Sequence, residues 1–148
     1  MTKTDQMADS TAPTRQVGAL ARARGVAERL YAAIARGDLT TVTELLHLDV
    51  VLSVPGANPV SGTYRGIAGL RQFTATAAAI APGGAHTEVV EILGGDRHAA
   101  VYGLSRATRP GHRALRNETI HLVTVDGGKA TAITIYNRDQ RTVDAFWS

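Results

Sequence analysis

The segment YAAIARGDLTTVTELLHLDVVLSVPGANPVSGTYRG, Tyr31 to Gly66, constrains the fold of this chain more than any other stretch. Apolar groups at Val26, Leu30, Ala33 and Ile34 recur at the three-and-four spacing of one helical face, and Gly37, free to take the left-handed conformation, closes that helix. Asp38 is placed to cap a second helix, whose buried stripe is Leu39, Val42, Leu45 and Leu46. The β-branched run Val50 to Val54, ended by Pro55-Gly56, predicts a strand. A short strand at Tyr64-Arg65 then leads into a third helix over Ile67 to Ala81, with Leu70, Phe73 and Ala77 inward. Helices followed by a strand and a glycine-bounded entry to another helix predict a pocket.

The remainder reads as a meander. Strand-like runs at His86 to Leu93, Arg97 to Thr108, Arg113 to Val125 and Ala130 to Asn137 are separated by Gly94-Gly95, Pro110-Gly111 and Asp126-Gly127-Gly128. Arg141 to Trp147 predicts a short helical turn that lays Phe146 and Trp147 over one end. The order argues an α+β fold. With 148 residues and 44% hydrophobic content, the chain suits one domain over residues 21–148, preceded by a mobile extension over residues 1–20 that lacks apolar periodicity.

Composition also excludes functions. Cysteine is absent, so thiolate metal sites and cysteine nucleophiles are impossible. His47, His86, His98 and His112 lie at ends or loops without metal-site spacing, and the paired glycines lack a phosphate-binding pattern, so no metal or cofactor is expected. The net charge of +3 is scattered and aromatics are 5%, which argues against nucleic acid. No apolar run is long enough for a membrane span and no signal-type segment is visible, which makes the cytoplasm the expected compartment.

Alternation divides the Arg113 to Val125 strand into two faces, Leu115, Asn117, Thr119, His121, Val123 and Val125 against Arg116, Glu118, Ile120, Leu122 and Thr124. On the preceding strand Tyr102, Leu104 and Arg106 share a face opposite Val101, Gly103 and Ser105, and either face can be the inner one.

The stretches ARGDLTTVTELLHLDVVLSVPG, GTYRGIAGLRQF and IHLVTVDGGKATAITIYNRDQRTVDAFW resemble the SnoaL-like branch of the nuclear transport factor 2-like superfamily, over about Val26 to Trp147. That superfamily includes ketosteroid isomerases, scytalone dehydratase, limonene epoxide hydrolase and polyketide cyclases. The resemblance implies a cone-shaped α+β barrel, with three N-terminal helices on a strongly curved, mainly antiparallel mixed sheet around a small apolar ligand. It puts Val123 and Val125 towards the cone, and with them His121, Thr119 and Asn117. His121 falls near the protonated acid of the isomerase oxyanion hole. Other isomerase positions differ: Val54, preceded by Ser53, stands at the aspartate base, and Leu30 at the helical tyrosine, with Tyr31 beside it on another face. Arg138 stands at the last-strand aspartate of limonene epoxide hydrolase, with Asp139 one place on.

The expected function is therefore a cofactor-independent cyclase or isomerase of a small apolar, polyketide-type intermediate. His121 moves a proton at neutral pH, Tyr136 stabilises an oxyanion and Asp139 is a carboxylate at the rim, or else simply the cap of the terminal helical turn. Asn117, Thr119, Arg138, Arg106, Tyr102, Tyr64, Leu52, Val54 and Trp147 complete the expected binding surface; Tyr136 and Arg138 share strand parity and act together only if that face is inward. Two rival readings are epoxide hydrolysis or epoxide-opening closure, with Asp139 as base and Arg106 or Arg138 as partner, and a non-catalytic ligand-binding or dimerisation module. Ile120 and Leu122, on the opposite face, predict a homodimer through the outside of the sheet.

Overall fold

The computed structural model describes residues 22–148; the extension expected over residues 1–20 lies outside them. The elements are α1 (Arg22–Ala35), α2 (Leu39–Leu45), β1 (Leu46–Val54), β2 (Gly62–Arg65), α3 (Gly66–Ile80), β3 (Ala85–Gly94), β4 (His98–Ala107), β5 (Leu115–Asp126), β6 (Lys129–Asn137) and α4 (Gln140–Trp147). The strands form one sheet in the order β2-β1-β6-β5-β4-β3, parallel between β1 and β6 and antiparallel elsewhere. β2 and β3 are its edges, so the expected barrel is an open cone: the sheet does not close on itself.

The α1–α2 junction forms as the residues dictate. Gly37 takes φ +71°, a conformation costly for any residue with a Cβ, and Asp38 accepts from the Thr41 amide at 3.1 Å and the Thr41 hydroxyl at 2.7 Å. The buried stripes differ from expectation. Ile34 and Leu39 are exposed, while Ala23, Val26, Ala27, Leu30, Tyr31 and Ala33 are the buried residues of α1. Tyr31, expected on another face from Leu30, is buried with it, because Ala23, Ala27 and Tyr31 stand four residues apart and make a second ridge along the same side. β1 begins at Leu46, four residues earlier than its β-branched run suggests, since Leu46 already pairs with Ala130 of β6.

Helices α1 and α3 lie on one side of the sheet. The main core joins α1 to Leu46, Val50, Leu52, Val101, Val123 and Ile133, with Val54, Tyr64, Leu70 and Phe73 packed against it. A second cluster, made by Val60, Ala81, Ala107, Leu115, Val143, Phe146 and Trp147, closes one end. There α4 is tied to the β1–β2 loop by Asp144, whose Oδ1 accepts from the Ala57 amide at 3.1 Å, Asn58 Nδ2 at 2.7 Å and Gln140 Nε2 at 2.9 Å. Gly56 (φ +103°) lies so close to Asp144 and Gln140 that a Cβ would collide with both. No helix among the described residues is long and apolar enough to cross a membrane.

Candidate functional site

Strand β5 places the polar groups that matter. Its side chains alternate between buried and less buried, and Leu115, Asn117, Thr119, His121, Val123 and Val125 point to the inner side. Register carries that assignment to its neighbours: Val101 and Ile135 flank His121, and Ala99 and Ile133 flank Val123. His121 therefore sits between apolar neighbours on both strands, 8% exposed. From α1 the Tyr31 hydroxyl reaches its Nδ1 at 2.7 Å, with the rings tilted by 51° and their centroids 5.7 Å apart.

Burial sets the protonation of this pair. Desolvation brings the His121 imidazole down to about 4 and raises the Tyr31 phenol well above its ordinary value, so both groups are neutral around pH 7. His121 Nε2 makes no hydrogen bond to a described residue. Among the described residues no side-chain nitrogen or oxygen is both sealed off and unpartnered, so Nε2 borders open space.

Further along the inner face, Thr119 donates to the Tyr136 carbonyl at 3.1 Å, and Asn117 donates to Asn137 Oδ1 at 3.1 Å while accepting from the Asp139 amide at 3.0 Å. Asn137 continues to Gln140 at 3.0 Å, which links the inner row to α4. Leu52 is buried in the main core, and Val54 and Tyr64 pack at its border. Tyr64 donates to the Val60 carbonyl at 2.8 Å and meets Phe73 edge-on, so its hydroxyl is spent pinning α3. Trp147 belongs to the end cluster, with Phe146 at right angles to it.

Four residues expected around the ligand lie outside. Tyr102 and Arg106 stand on the outer face, because Val101 and Gly103 take the inner one. Tyr136 is 56% exposed beside Ile120, its register partner, and Arg138 follows it outward to pair with Glu118. Tyr102 donates to the other oxygen of Glu118 at 2.6 Å, and Arg106 pairs with Glu88 at 2.8 Å. Hydrogen bonds from Tyr102 and Arg138 hold the Glu118 carboxyl below its usual range. Asp139, the expected rim carboxylate, caps α4: it accepts from the Thr142 amide at 3.0 Å and the Thr142 hydroxyl at 2.6 Å, bonds that hold its carboxyl below the usual carboxylate range in the same way.

Clefts on the surface of the described residues include two of unequal size. The larger, about 550 Å³, is bounded by Arg116, Asn117, Glu118, Arg138 and Asp139, and the smaller, about 190 Å³, by Arg22, Asp96, Arg97, Val125, Asp126 and Gly127. Neither contains Tyr31 or His121. We place the candidate site at the pair, because Glu118, Arg138, Asp139 and Asn117 already spend polar groups on one another, on Asn137 or on α4, whereas His121 offers a ring nitrogen with no partner among the described residues. No metal-ligating cluster occurs among the described residues. Tyr31 is the member of the site that sequence reasoning missed, and its signal was the four-residue spacing from Ala27.

Comparison with known proteins agrees with this architecture. A family model for the SnoaL-like domain matches residues 27–133. An uncharacterized protein of Mycobacterium tuberculosis is 34% identical over 122 residues, which cover 81% of this chain and 92% of that one. Among solved structures, Bal32a from a soil-derived mobile gene cassette superposes with a TM-score of 0.80 at 20% identity, covering 88% of this chain and 99% of its own. A candidate polyketide cyclase of Sinorhizobium meliloti superposes at 0.59 and 19% identity, over 76% of this chain and 94% of that one.

Proposed function

We propose that this chain, which belongs to the SnoaL-like domain family, is a cofactor-independent cyclase or isomerase acting on a small, mainly apolar, carbonyl-bearing intermediate of polyketide type. The observation that carries the reading is the Tyr31–His121 pair: neutral, desolvated, set in an apolar surface and ending in a ring nitrogen without a partner among the described residues. A hydrogen bond from such a group to an oxygen that gains charge is stronger than in water and needs no reorganisation at the moment of reaction. The surrounding apolar side chains hold a flexible chain in a folded conformation, which supplies much of the barrier reduction in a ring closure. The polyketide class itself comes by analogy from the fold shared with the Sinorhizobium meliloti protein.

An epoxide-opening reading needs a carboxylate and a cation directed at one ligand. Asp139 caps α4, and Arg106 and Arg138 are paired on the outer face. The site therefore favours carbonyl chemistry.

The test is single-turnover kinetics on model 1,3-dicarbonyl thioesters with wild-type, His121→Ala and His121→Gln proteins. Turnover is expected to fall roughly 10²- to 10⁴-fold in the alanine variant, with substrate binding little changed. Normal turnover in folded preparations of both variants would sink the reading.

A further inference from the structure

We infer that Tyr31 is a positioning residue that fixes His121 in the tautomer protonated at Nε2, so that the pair meets a substrate oxygen as a hydrogen-bond donor and never as a base. The inference rests on the functional reading above and adds the direction in which the pair works. It starts from the proton count of one contact. The phenol has a single proton, and its partner among the described residues is His121 Nδ1, at 2.7 Å. A neutral imidazole also has a single ring proton, so two arrangements fit the distance.

In the first, the Tyr31 O–H donates to Nδ1, and one group, Nε2–H, is left to face the open space. In the second, Nδ1–H donates to the phenol oxygen. The phenol proton then has no acceptor among the described residues, and the Nε2 lone pair has no donor. Nε2 faces the open space in both arrangements, so what separates them is the buried phenol proton, which has an acceptor in the first and none in the second; the first arrangement is the stable one. Burial removes the charged alternatives, since it keeps the imidazole from taking a second proton and the phenol from losing its own.

The consequence is chemical. The one basic nitrogen of His121 is consumed by Tyr31, and what it offers a ligand is an N–H. A donor of this kind stabilises an enolate or alkoxide but cannot abstract the proton that creates it. Substrates suited to the pair are carbonyl compounds whose C–H, as between two carbonyls, is acidic enough to lose its proton to solvent water or hydroxide while the Nε2–H holds the enolate oxygen that forms. Simple ketones, which need a strong base close by, do not suit it.

Long-range proton–nitrogen NMR of the whole chain with nitrogen-15 histidine reads the tautomer directly. The chain has five histidines, and the His121 signals are assigned by their absence from His121→Gln. Expected in the wild type at pH 7 is a protonated Nε2 beside an unprotonated Nδ1, and in Tyr31→Phe a mixture of tautomers. A wild-type spectrum with the proton on Nδ1 overturns the inference whatever the turnover, and so does a Tyr31→Phe spectrum identical to the wild type. An Nε2–H spectrum in a protein that turns over no 1,3-dicarbonyl probe overturns the functional reading and leaves the tautomer assignment standing. The wild-type measurement decides the matter even if Tyr31→Phe fails to fold.

Discussion

Strand β5 carries two tyrosine-centred hydrogen bonds of almost equal length on its opposite faces, Tyr31 to His121 at 2.7 Å inside and Tyr102 to Glu118 at 2.6 Å outside. Geometry alone does not separate them. The inner partner is 8% exposed and loses its basicity through desolvation. The outer carboxylate becomes more acidic because hydrogen bonds and the Arg138 guanidinium stabilise its charge. Water makes the difference: inside, it is excluded and the groups stay neutral, and outside, it screens charges that are free to form. The inner pair is thus poised to act on a developing charge. The outer set already holds its own.

The largest effect expected from this contrast is a pH dependence that belongs to the inner face. Above pH 6.5 His121 is neutral in both the folded and the unfolded chain and costs nothing. As pH falls from 6.5 to 4, the unfolded chain takes up a proton that the folded chain refuses, so stability decreases. By pH 4, where the folded imidazole is itself half protonated, the loss amounts to about 3 kcal/mol. Tyr31 acts at the other end of the scale: its raised folded value means stability is retained up to about pH 10 and lost above it, where the unfolded phenol ionises. Melting temperature against pH for wild type and His121→Gln checks this. The difference between the two curves should change between pH 4 and 6.5 and be flat from 6.5 to 8. A constant difference throughout would break the contrast.

Most of the architecture was legible because its signals are local. Gly37-Asp38, Gly94-Gly95 and Asp126-Gly127-Gly128 stand where elements end, and each acts through its own backbone or side chain. The two faces of β5 were legible from alternation, and the family resemblance, which sets Val123 and Val125 towards the cone, told which of them is the inner row. The face of β6 was not, and one extra residue explains it. From the turn, Asp126 pairs with Lys129 and Val125 with Ala130, but Thr124 then pairs with Ala132, skipping Thr131. Without that bulge Tyr136 would stand opposite Thr119 and share its inward face; with it, Asn137 does. A single insertion in register thus exchanges Tyr136 and Arg138 for Ile135 and Asn137, and nothing in the composition of β6 announces it. The Tyr31–His121 contact was hidden for another reason: it joins residues 90 apart in sequence, and neither residue type demands the other.

The next effect in size compares the two tyrosines directly. Tyr31→Phe removes the partner of His121 Nδ1 and leaves a buried nitrogen unsatisfied, at a cost of about 1–3 kcal/mol. Tyr102→Phe removes a bond at the surface, where water replaces the phenol as donor to Glu118, and its melting temperature is expected within the scatter of repeated wild-type melts. Equal losses in the two variants would show that the faces are equally dry.

Smallest is the response of the outer network to salt. Glu118 joins Arg138, and Glu88 joins Arg106, in ion pairs whose members are partly or largely exposed, and the neutral Tyr102 phenol adds a hydrogen bond to Glu118. Counterions screen such pairs within about 10 Å at 0.1 M salt and about 3 Å at 1 M. Glu118→Gln is expected to lower the melting temperature slightly at low salt and to be indistinguishable from wild type at about 1 M, as screening removes what the charge contributed. The Arg138 amide still bonds to the Glu118 carbonyl in that variant, so the strand pairing survives and the comparison isolates the side chain. His121→Gln, measured beside it at pH 7, exchanges one neutral group for another, and its deficit should be the same at both salt concentrations. If the His121→Gln deficit shrank with salt, the imidazole would have to be carrying charge in the folded protein, and its role as a neutral donor would fall with it.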